Sequence, residues 1–351
     1  MANSKYACVN TKIMAMRANS LKPEDFRAMI REPDINGVFS YLRENTYYAP
    51  FLTEVDTTHL HRQAIEIPLN RMRVYEIEKL MHYLNDTDKR LITTYLMESD
   101  IESLRLLIRG LARNADLSEI VPMMVYSEKY TTVPFDKLVK VHSWDEFKKA
   151  LINTDYYRIL EIFKTISIDE DLFPVEKSLE RHYYDKLRRT IEKLPKKENK
   201  KLITTFRKGI DLLNLIWFYR GKRFYHLSRE ELLAYALQGG LRIKEEDIQK
   251  LTEVKTMDDF MRVVSAPKYE EYAFLFNHEK SIDLHMERRR ERFLYFAFQS
   301  LFNSDDNGLS KVIAYIRMAE FEIADITSII ESKRYRMSAE ETEEFLIRYF
   351  N

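Results

Sequence analysis

Lys89-Arg90-Leu91-Ile92-Thr93-Thr94-Tyr95 returns 111 residues later as Lys200-Lys201-Leu202-Ile203-Thr204-Thr205-Phe206. The offset continues through Asp100 and Asp211 to Arg109-Gly110 and Arg220-Gly221. A weaker third copy keeps the spacing: Glu322 follows Asp211, and Lys333-Arg334-Tyr335 follows Lys222-Arg223-Phe224. A second motif agrees, because Phe39 and Tyr48, Phe147 and Tyr156, and Phe260 and Tyr269 each pair across nine residues. In the last two copies the approach also matches, Leu138, Val141, Ser143 and Asp145 answering Leu251, Val254, Thr256 and Asp258. Three such units, 1–125, 126–240 and 241–351, divide the 351-residue chain between them. Self-similarity of this kind builds one extended surface from equivalent modules, which favours a scaffold or coupling part over an enzyme with one pocket.

Hydrophobic content of 45% with 32% charged residues is that of an ordinary folded chain, and only 7 Gly and 9 Pro point to helices. Basic and acidic residues both total 56, so no global field attracts nucleic acid and the expected partners are proteins. The N-terminus lacks an apolar h-region, and no apolar run approaches the roughly 20 residues of a membrane span. A chain made and kept in the cytosol is expected. Cys8 stands alone, which excludes an internal disulfide or a thiolate cluster.

Each copy holds two long helical patterns around a polar turn: Asn85–Asp88, Pro195–Asn199 and Asn303–Gly308. The second helix of each pair carries apolar residues at spacings of three and four. These are Met97, Ile101, Leu104, Ile108 and Leu111; Ile203, Phe206, Ile210, Leu213 and Trp217; and Ile316, Ala319, Ile323, Ile326 and Ile330. One stripe per helix is expected to be buried. Gly221 falls where a helix would end in a left-handed residue. The first helices open on Leu69-Asn70-Arg71, Leu179-Glu180-Arg181 and Met286-Glu287-Arg288. Capping boxes Ser228-Arg-Glu-Glu231 and Ser338-Ala-Glu-Glu341 introduce short helices after two of the pairs. The chain begins inside a unit, with a helix over 5–19 and a short helix from Pro23, and ends inside another, with Ser338 to Phe350. The predicted fold is therefore all-α, with three helical-hairpin units about a pseudo-threefold axis, the two partial ends meeting to close the set.

Catalytic chemistry is largely missing. Arg220-Gly221-Lys222-Arg223 has neither the second glycine nor the hydroxyl of a phosphate loop. His59 and His61 diverge on a helix and lack cysteine support, so no metal site is expected. Glu230-Glu231 and Glu340-Glu341 sit in first helical turns, where the dipole favours them as caps. No cofactor is expected. The basic run from Lys186 to Lys208 spans the middle turn alone, as a solvated tip or as a contact for an acidic partner or lipid headgroups. Of the 22 Tyr and 20 Phe, most read as helix-packing core, with Tyr47, Tyr48, Tyr156, Tyr157, Tyr269 and Tyr272 placed to link one unit to the next. An RNA-stacking surface would interleave basic residues with these rings, and that pattern is weak.

Several stretches together resemble the central-stalk socket component of V-type and archaeal-type rotary ATPases, known as the C subunit in prokaryotic complexes and the d subunit in eukaryotic ones. They are Tyr6-Ala7 with Lys12-Ile13-Met14-Ala15-Met16, Asp211-Leu-Leu-Asn214-Leu-Ile-Trp-Phe-Tyr-Arg220-Gly-Lys222, Leu237-Gln-Gly239-Gly240, and Glu322-Ile323 through Ile329-Ile330-Glu-Ser-Lys333. The likeness covers the whole chain and departs from the family at Lys12, where members often carry arginine. It implies a funnel of three helical units on the cytoplasmic face of the membrane rotor ring of proteolipid subunits, receiving the foot of the central stalk. Its role would be to transmit torque between ATP chemistry and proton or sodium transport, with no bond made or broken in this chain. For partner contacts the polar ends of the second helices are the candidates: Arg109, Arg220, Lys222, Arg223, Lys333 and Arg334. The competing account of these residues is that they complement the C-terminal dipoles of their helices. Other function classes are a regulatory helical scaffold binding nucleic acid through 186–208, which the neutral charge disfavours, and a helical hydrolase, which the missing nucleophile–base or metal set disfavours.

Overall fold

A computed structural model describes residues 5–58, 60–166, 172–276, 282–304 and 308–348, with side chains of 282–284 left aside; no strand occurs among them. The helices, in order, are α1 (Ala7–Ala18), α2 (Pro23–Arg31), α3 (Ile35–Asn45), α4 (Arg62–Met81), α5 (Asp86–Ala112), α6 (Phe135–Leu138), α7 (Trp144–Ala150), α8 (Asp155–Leu160) and α9 (Phe173–Glu192). They continue as α10 (Lys200–Arg223), α11 (Arg229–Tyr235), α12 (Glu245–Glu253), α13 (Met257–Val264), α14 (Ile282–Phe302), α15 (Leu309–Tyr335) and α16 (Ala339–Phe345). Tight 3₁₀ turns cover Ala49–Phe51, Leu117–Met123 and Pro267–Phe276.

These elements form two compact units, 1–47 with 191–351, and 48–190. In the larger unit α14 packs on both α10 and α15, while α15 also touches α1, α2 and α3 at the start of the chain. α16 meets α2. Terminal segments expected to find each other therefore do so within one unit. In the smaller unit α4 packs on α5, and the Leu117–Met123 turn packs on α5 as well.

Why the long helices stop and turn where they do follows from their sequence. Each of α5, α10 and α15 is followed or closed by a non-glycine residue of positive φ: Asn114 at 55°, His226 at 49° and Arg336 at 54°. A main-chain bond closes each turn, from Ala115 to the carbonyl of Gly110, from Leu227 to Gly221 and from Met337 to Ser332. Gly221 is thus not the left-handed terminator expected from the sequence; it lies inside α10. Its role is close approach, since a Cβ there would stand 2.7 Å from Leu232 and 3.1 Å from Leu227. Gly110 makes the same room for Ile120 and Leu117. Ser228 and Ser338 form the capping boxes that their sequences imply. Ser143 and Thr256, at matching places before the paired Phe and Tyr, cap α7 and α13, and Asp34 caps α3. All six residues of the Phe–Tyr motif are buried. Of the polar turns, 305–307 lies outside the described residues, as do His59 and 349–351; the short helix expected from Ser338 to Phe350 ends at Phe345, where Leu346 turns to extended backbone.

The expectation of a single buried stripe per long helix needs correction. From Ile210 to Ile216 every residue of α10 is buried, and from Val312 to Ile316 so is every residue of α15. Ile203, Phe206 and Trp217, by contrast, are half-buried. Burial on all faces brings polar side chains inside, and there each one needs a partner. Three of them solve the problem in one way. Ser103 Oγ donates to the Val125 carbonyl at 3.1 Å and accepts from its N–H at 3.3 Å, 22 residues on. Asn214 donates to the Leu237 carbonyl and accepts from its N–H, both at 2.8 Å and 23 residues on. Asp325 accepts from the N–H of Ile347 at 2.6 Å, again 22 residues on. Ser103, Asn214 and Asp325 are themselves spaced by 111. Each ties the extended strap beyond its own helix to the middle of that helix.

Asn214→Leu, which keeps the volume but strips both bonds, is expected to cost about 3 kcal/mol by leaving the Leu237 N–H and carbonyl buried and unpaired. Urea denaturation of the full chain measures it, with a loss under about 0.5 kcal/mol counting against the clamp.

Candidate functional site

The sequence-derived candidates divide sharply when their partners are traced. Arg109, in the last turn of α5, makes two bonds to Glu176 of α9, at 2.6 and 2.8 Å. Arg220, near the end of α10, bonds Glu287 of α14 at 2.8 Å, and both pairs are separated by 67 residues. They are one interaction made twice, joining a second helix to the first helix of the next copy. Hydrogen bonding to Glu176 raises the Arg109 pKa above its ordinary value.

Lys222 donates to the carbonyls of Thr252 and Val254, at 2.8 and 2.7 Å, at the end of α12. Lys333 donates to the Ile30 carbonyl near the end of α2. An ammonium on the last carbonyls of a helix satisfies orphan acceptors and complements the dipole, but of a neighbouring helix and not its own. Burial lowers the pKa of both lysines. Arg223 and Arg334 remain exposed; Arg334 lies 3.8 Å from Glu331 and over the Tyr335 ring at 5.6 Å.

Beside these two arginines stand rings that the sequence reading left unassigned. Phe224, Tyr225 and Tyr335 are 47%, 49% and 67% exposed, among the large side chains left uncovered. The ends of α10 and α15 point the same way, because each runs antiparallel to α14: Arg220 meets Glu287 at one side and Arg288 meets Ser328 at the other. Exposed aromatic and arginine side chains are the types that anchor protein interfaces. The signal was in the repeat, since Phe224 and Tyr335 are also 111 apart.

A second repeated position is buried. Asp211 accepts from the N–H groups of Leu241, Arg242 and Ile243, at 3.0, 2.7 and 3.1 Å, and from the Tyr272 hydroxyl at 2.7 Å. Glu322 accepts from the Tyr47 hydroxyl at 2.9 Å and from Arg348 at 3.0 Å. Asp100 accepts from the Thr131 side chain, and burial pushes its carboxyl up to about 7, against the smaller pull of Lys186. The nearby Tyr156 hydroxyl is buried with no hydrogen-bond partner, and its pKa is raised by burial first and by Asp100 second. Of the tyrosines placed as links, Tyr47 and Tyr272 reach these acids directly, and Tyr269 bonds Asp247 at 2.6 Å.

No group of three or more His, Cys, Asp or Glu able to hold a metal ion occurs among the described residues. His61 caps α4 by accepting from Ala64, while His59 lies outside the described residues. An open groove of about 490 Å³ beside α4 is lined by Arg71, Tyr75, Glu78 and Val121 among others. Two of its polar groups are used internally, Arg71 on the Pro122 carbonyl at 2.6 Å and Glu78 on Ser127 at 2.5 Å. No helix among the described residues is long and apolar enough to cross a membrane.

The chain is thus an all-helical repeat protein whose buried helices are tied by polar clamps and which exposes arginine and aromatic side chains at the ends of α10 and α15. It belongs to the ATP synthase (C/AC39) subunit family, whose sequence model matches residues 9–345. Among curated proteins it is similar to the C subunit of the A-type ATP synthase of Methanococcoides burtonii, 24% identical over 97% of this chain and 93% of that protein. Its counterpart in Halobacterium salinarum is 21% identical over 98% of both. The Methanosarcina mazei protein is 25% identical over 76% of this chain and 71% of its own length.

The raised Asp100 pKa fixes a pH dependence. The folded carboxyl holds its proton up to about 7 whereas the unfolded one releases it near 3.8, so its contribution to stability is fully present below 3.8 and is lost as pH rises through 7. Asp100→Asn keeps an acceptor for Thr131 and removes the titration. Thermal or urea melts from pH 4 to 8 are expected to show the variant losing less stability than the parent, by on the order of 2–4 kcal/mol. Parallel curves for the two would contradict this.

Proposed function

We propose that this chain is a non-catalytic rotor subunit of an A-type or V-type ATP synthase. It seats the central stalk on the proteolipid ring and passes torque between them, coupling ATP hydrolysis or synthesis to proton or sodium transport. The observation that carries the reading is the family match across residues 9–345, with C subunits of A-type ATP synthases aligned along nearly their whole length. The construction of the chain supports it. Torque transmission needs a body that deforms little, and close-packed helices pinned by side-chain clamps supply stiffness without a cofactor. The three units 1–125, 126–240 and 241–351 are the staves of a funnel in this reading. The protein lies peripherally on the cytoplasmic face of the membrane, held by its partner subunits.

The helix ends are the proposed stalk contacts, with a division of labour among them. Arg223 and Arg334, with Phe224, Tyr225 and Tyr335, meet the partner; Arg109, Arg220, Lys222 and Lys333 hold the ends in place through the bonds described above. Exposed charges act mainly on encounter, and the rings on retention.

Deleting this protein is expected to leave ATP hydrolysis by the detached head while abolishing ion transport by membranes. Arg223→Glu with Arg334→Glu, in a chain that folds normally, should slow association with acidic stalk surfaces about tenfold at low salt and flatten the salt dependence. Transport that survives the deletion ends the coupling proposal. Unchanged association kinetics in the double variant remove these arginines from the interface.

A further inference from the structure

The basic run at the middle turn is not uniformly basic once its partners are counted. Its flanks are neutralised inside the molecule: Lys186 pairs with Asp155, Arg207 donates to the carbonyls of Gly239 and Gly240 at 3.2 and 3.0 Å, and Lys208 pairs with Glu271. Between them Lys193, Lys196, Lys197, Lys200 and Lys201 are all exposed. No carboxylate pairs with any of these five among the described residues. The turn that presents them is fixed, with Leu194 and Asn199 buried and Asn199 bonding the Pro195 carbonyl through both its main chain and its side chain, each at 3.1 Å.

Local stability does not account for Lys200 and Lys201. Lys200 and Lys201 open α10, where the helix dipole is positive and cations are disfavoured, and the first turn holds no acidic residue. The corresponding turn of α5 carries Asp86 and Asp88. In a chain with no net charge, a cluster that holds Lys200 and Lys201 against the dipole of their own helix is concentrated for something outside the fold.

The chemistry of the cluster selects the partner. No exposed large apolar side chain lies between 186 and 208, so the tip lacks the aromatic anchors of a protein interface and the stacking rings of a single-strand nucleic-acid surface. It offers ammonium groups on flexible stems and no exposed guanidinium fork between 190 and 208, which suits a diffuse, laterally mobile sheet of negative charge. We propose that this tip docks on an anionic phospholipid surface. α10 is 24 residues long, so the tip lies roughly 36 Å from the arginine and aromatic end at Arg223–Tyr225. With its lysines on the membrane, the larger unit presents that other end away from the lipid. This goes beyond the rotor reading and stands without it, because the isolated chain suffices for the test.

The purified full-length chain is mixed with vesicles of phosphatidylcholine alone, or of phosphatidylcholine with phosphatidylserine, and sedimented over a salt series. Binding is expected only to the anionic vesicles and is expected to fade with salt, each lysine contributing roughly fivefold to partitioning. Lys196→Ala with Lys197→Ala and Lys200→Ala should reduce partitioning more than tenfold, with circular dichroism and melting unchanged, while the corresponding Arg variant retains it. Lys193→Ala with Lys201→Ala is an independent second variant with the same expected direction. Equal binding to both vesicle types, a folded alanine variant that binds like the parent, or retention on single-stranded RNA at a salt concentration where the anionic vesicles are never bound would each overturn the proposal.

Discussion

Everything in the larger pattern depends on a polar side chain in the middle of a helix reaching across to the backbone of the strap that follows it. Ser103, Asn214 and Asp325 are buried in α5, α10 and α15, where water cannot satisfy them. The straps at Leu237 and Ile347 carry main-chain groups in the same predicament, and the strap at Val125 is half-buried. Each pairing satisfies both, and breaking it strands both. Because the side chain is fixed in a rigid helix, the strap is positioned to within a hydrogen bond's tolerance. Small residues a turn or two later, Gly110, Gly221 and Ser332, let the returning chain come close. Ser, Asn and Asp make the pairing at the equivalent place, Asp325 through the N–H groups of its strap alone.

The neighbouring acids are satisfied to very different degrees. Asp211 receives four hydrogen bonds, so its buried charge is largely compensated, although burial still raises its pKa. Glu322 has Arg348, which also approaches Asp325 at 3.7 Å and lies over the Phe26 ring at 4.8 Å. That arginine gathers the end of the chain, the long helix α15 and the N-terminal α2 into one polar knot. Asp100, with Thr131 beside it and the orphan Tyr156 hydroxyl nearby, is the least compensated. A frame built from one repeated part is therefore not equally firm at every joint: burial pushes the Asp100 carboxyl of the smaller unit up to about 7 and the Asp325 carboxyl of the larger unit up to about 6.

Much of the fold was legible in the sequence because repetition and capping are local signals. The 111-residue spacing, the capping boxes at Ser228 and Ser338, and the buried Phe–Tyr pairs all follow from residues seen in order. Gly221 was misread because a glycine near a helix end suggests a left-handed terminator, whereas His226 adopts that conformation and the glycine serves packing. The clamps were missed because their partners are main-chain atoms, which leave no letter in the sequence; Ser, Asn and Asp at one position looked like drift. For the helix-end residues, residue type could not separate Lys222, spent on the end of α12, from Arg223, left in solvent. That difference is one of direction around a helix terminus, and only coordinates resolve it.

Amide hydrogen exchange at Val125, Leu237 and Ile347 tests the clamp account most directly. These residues lie outside regular helices, where solvent-facing amides exchange quickly. If the buried side chains hold them, all three are protected to a degree comparable with the middle turns of α5, α10 and α15, opening only with the units that contain them. Exchange of these amides at the rate of exposed loop positions, while the helices stay protected, would show that the straps are not pinned and that the repeated clamp does not organise the molecule.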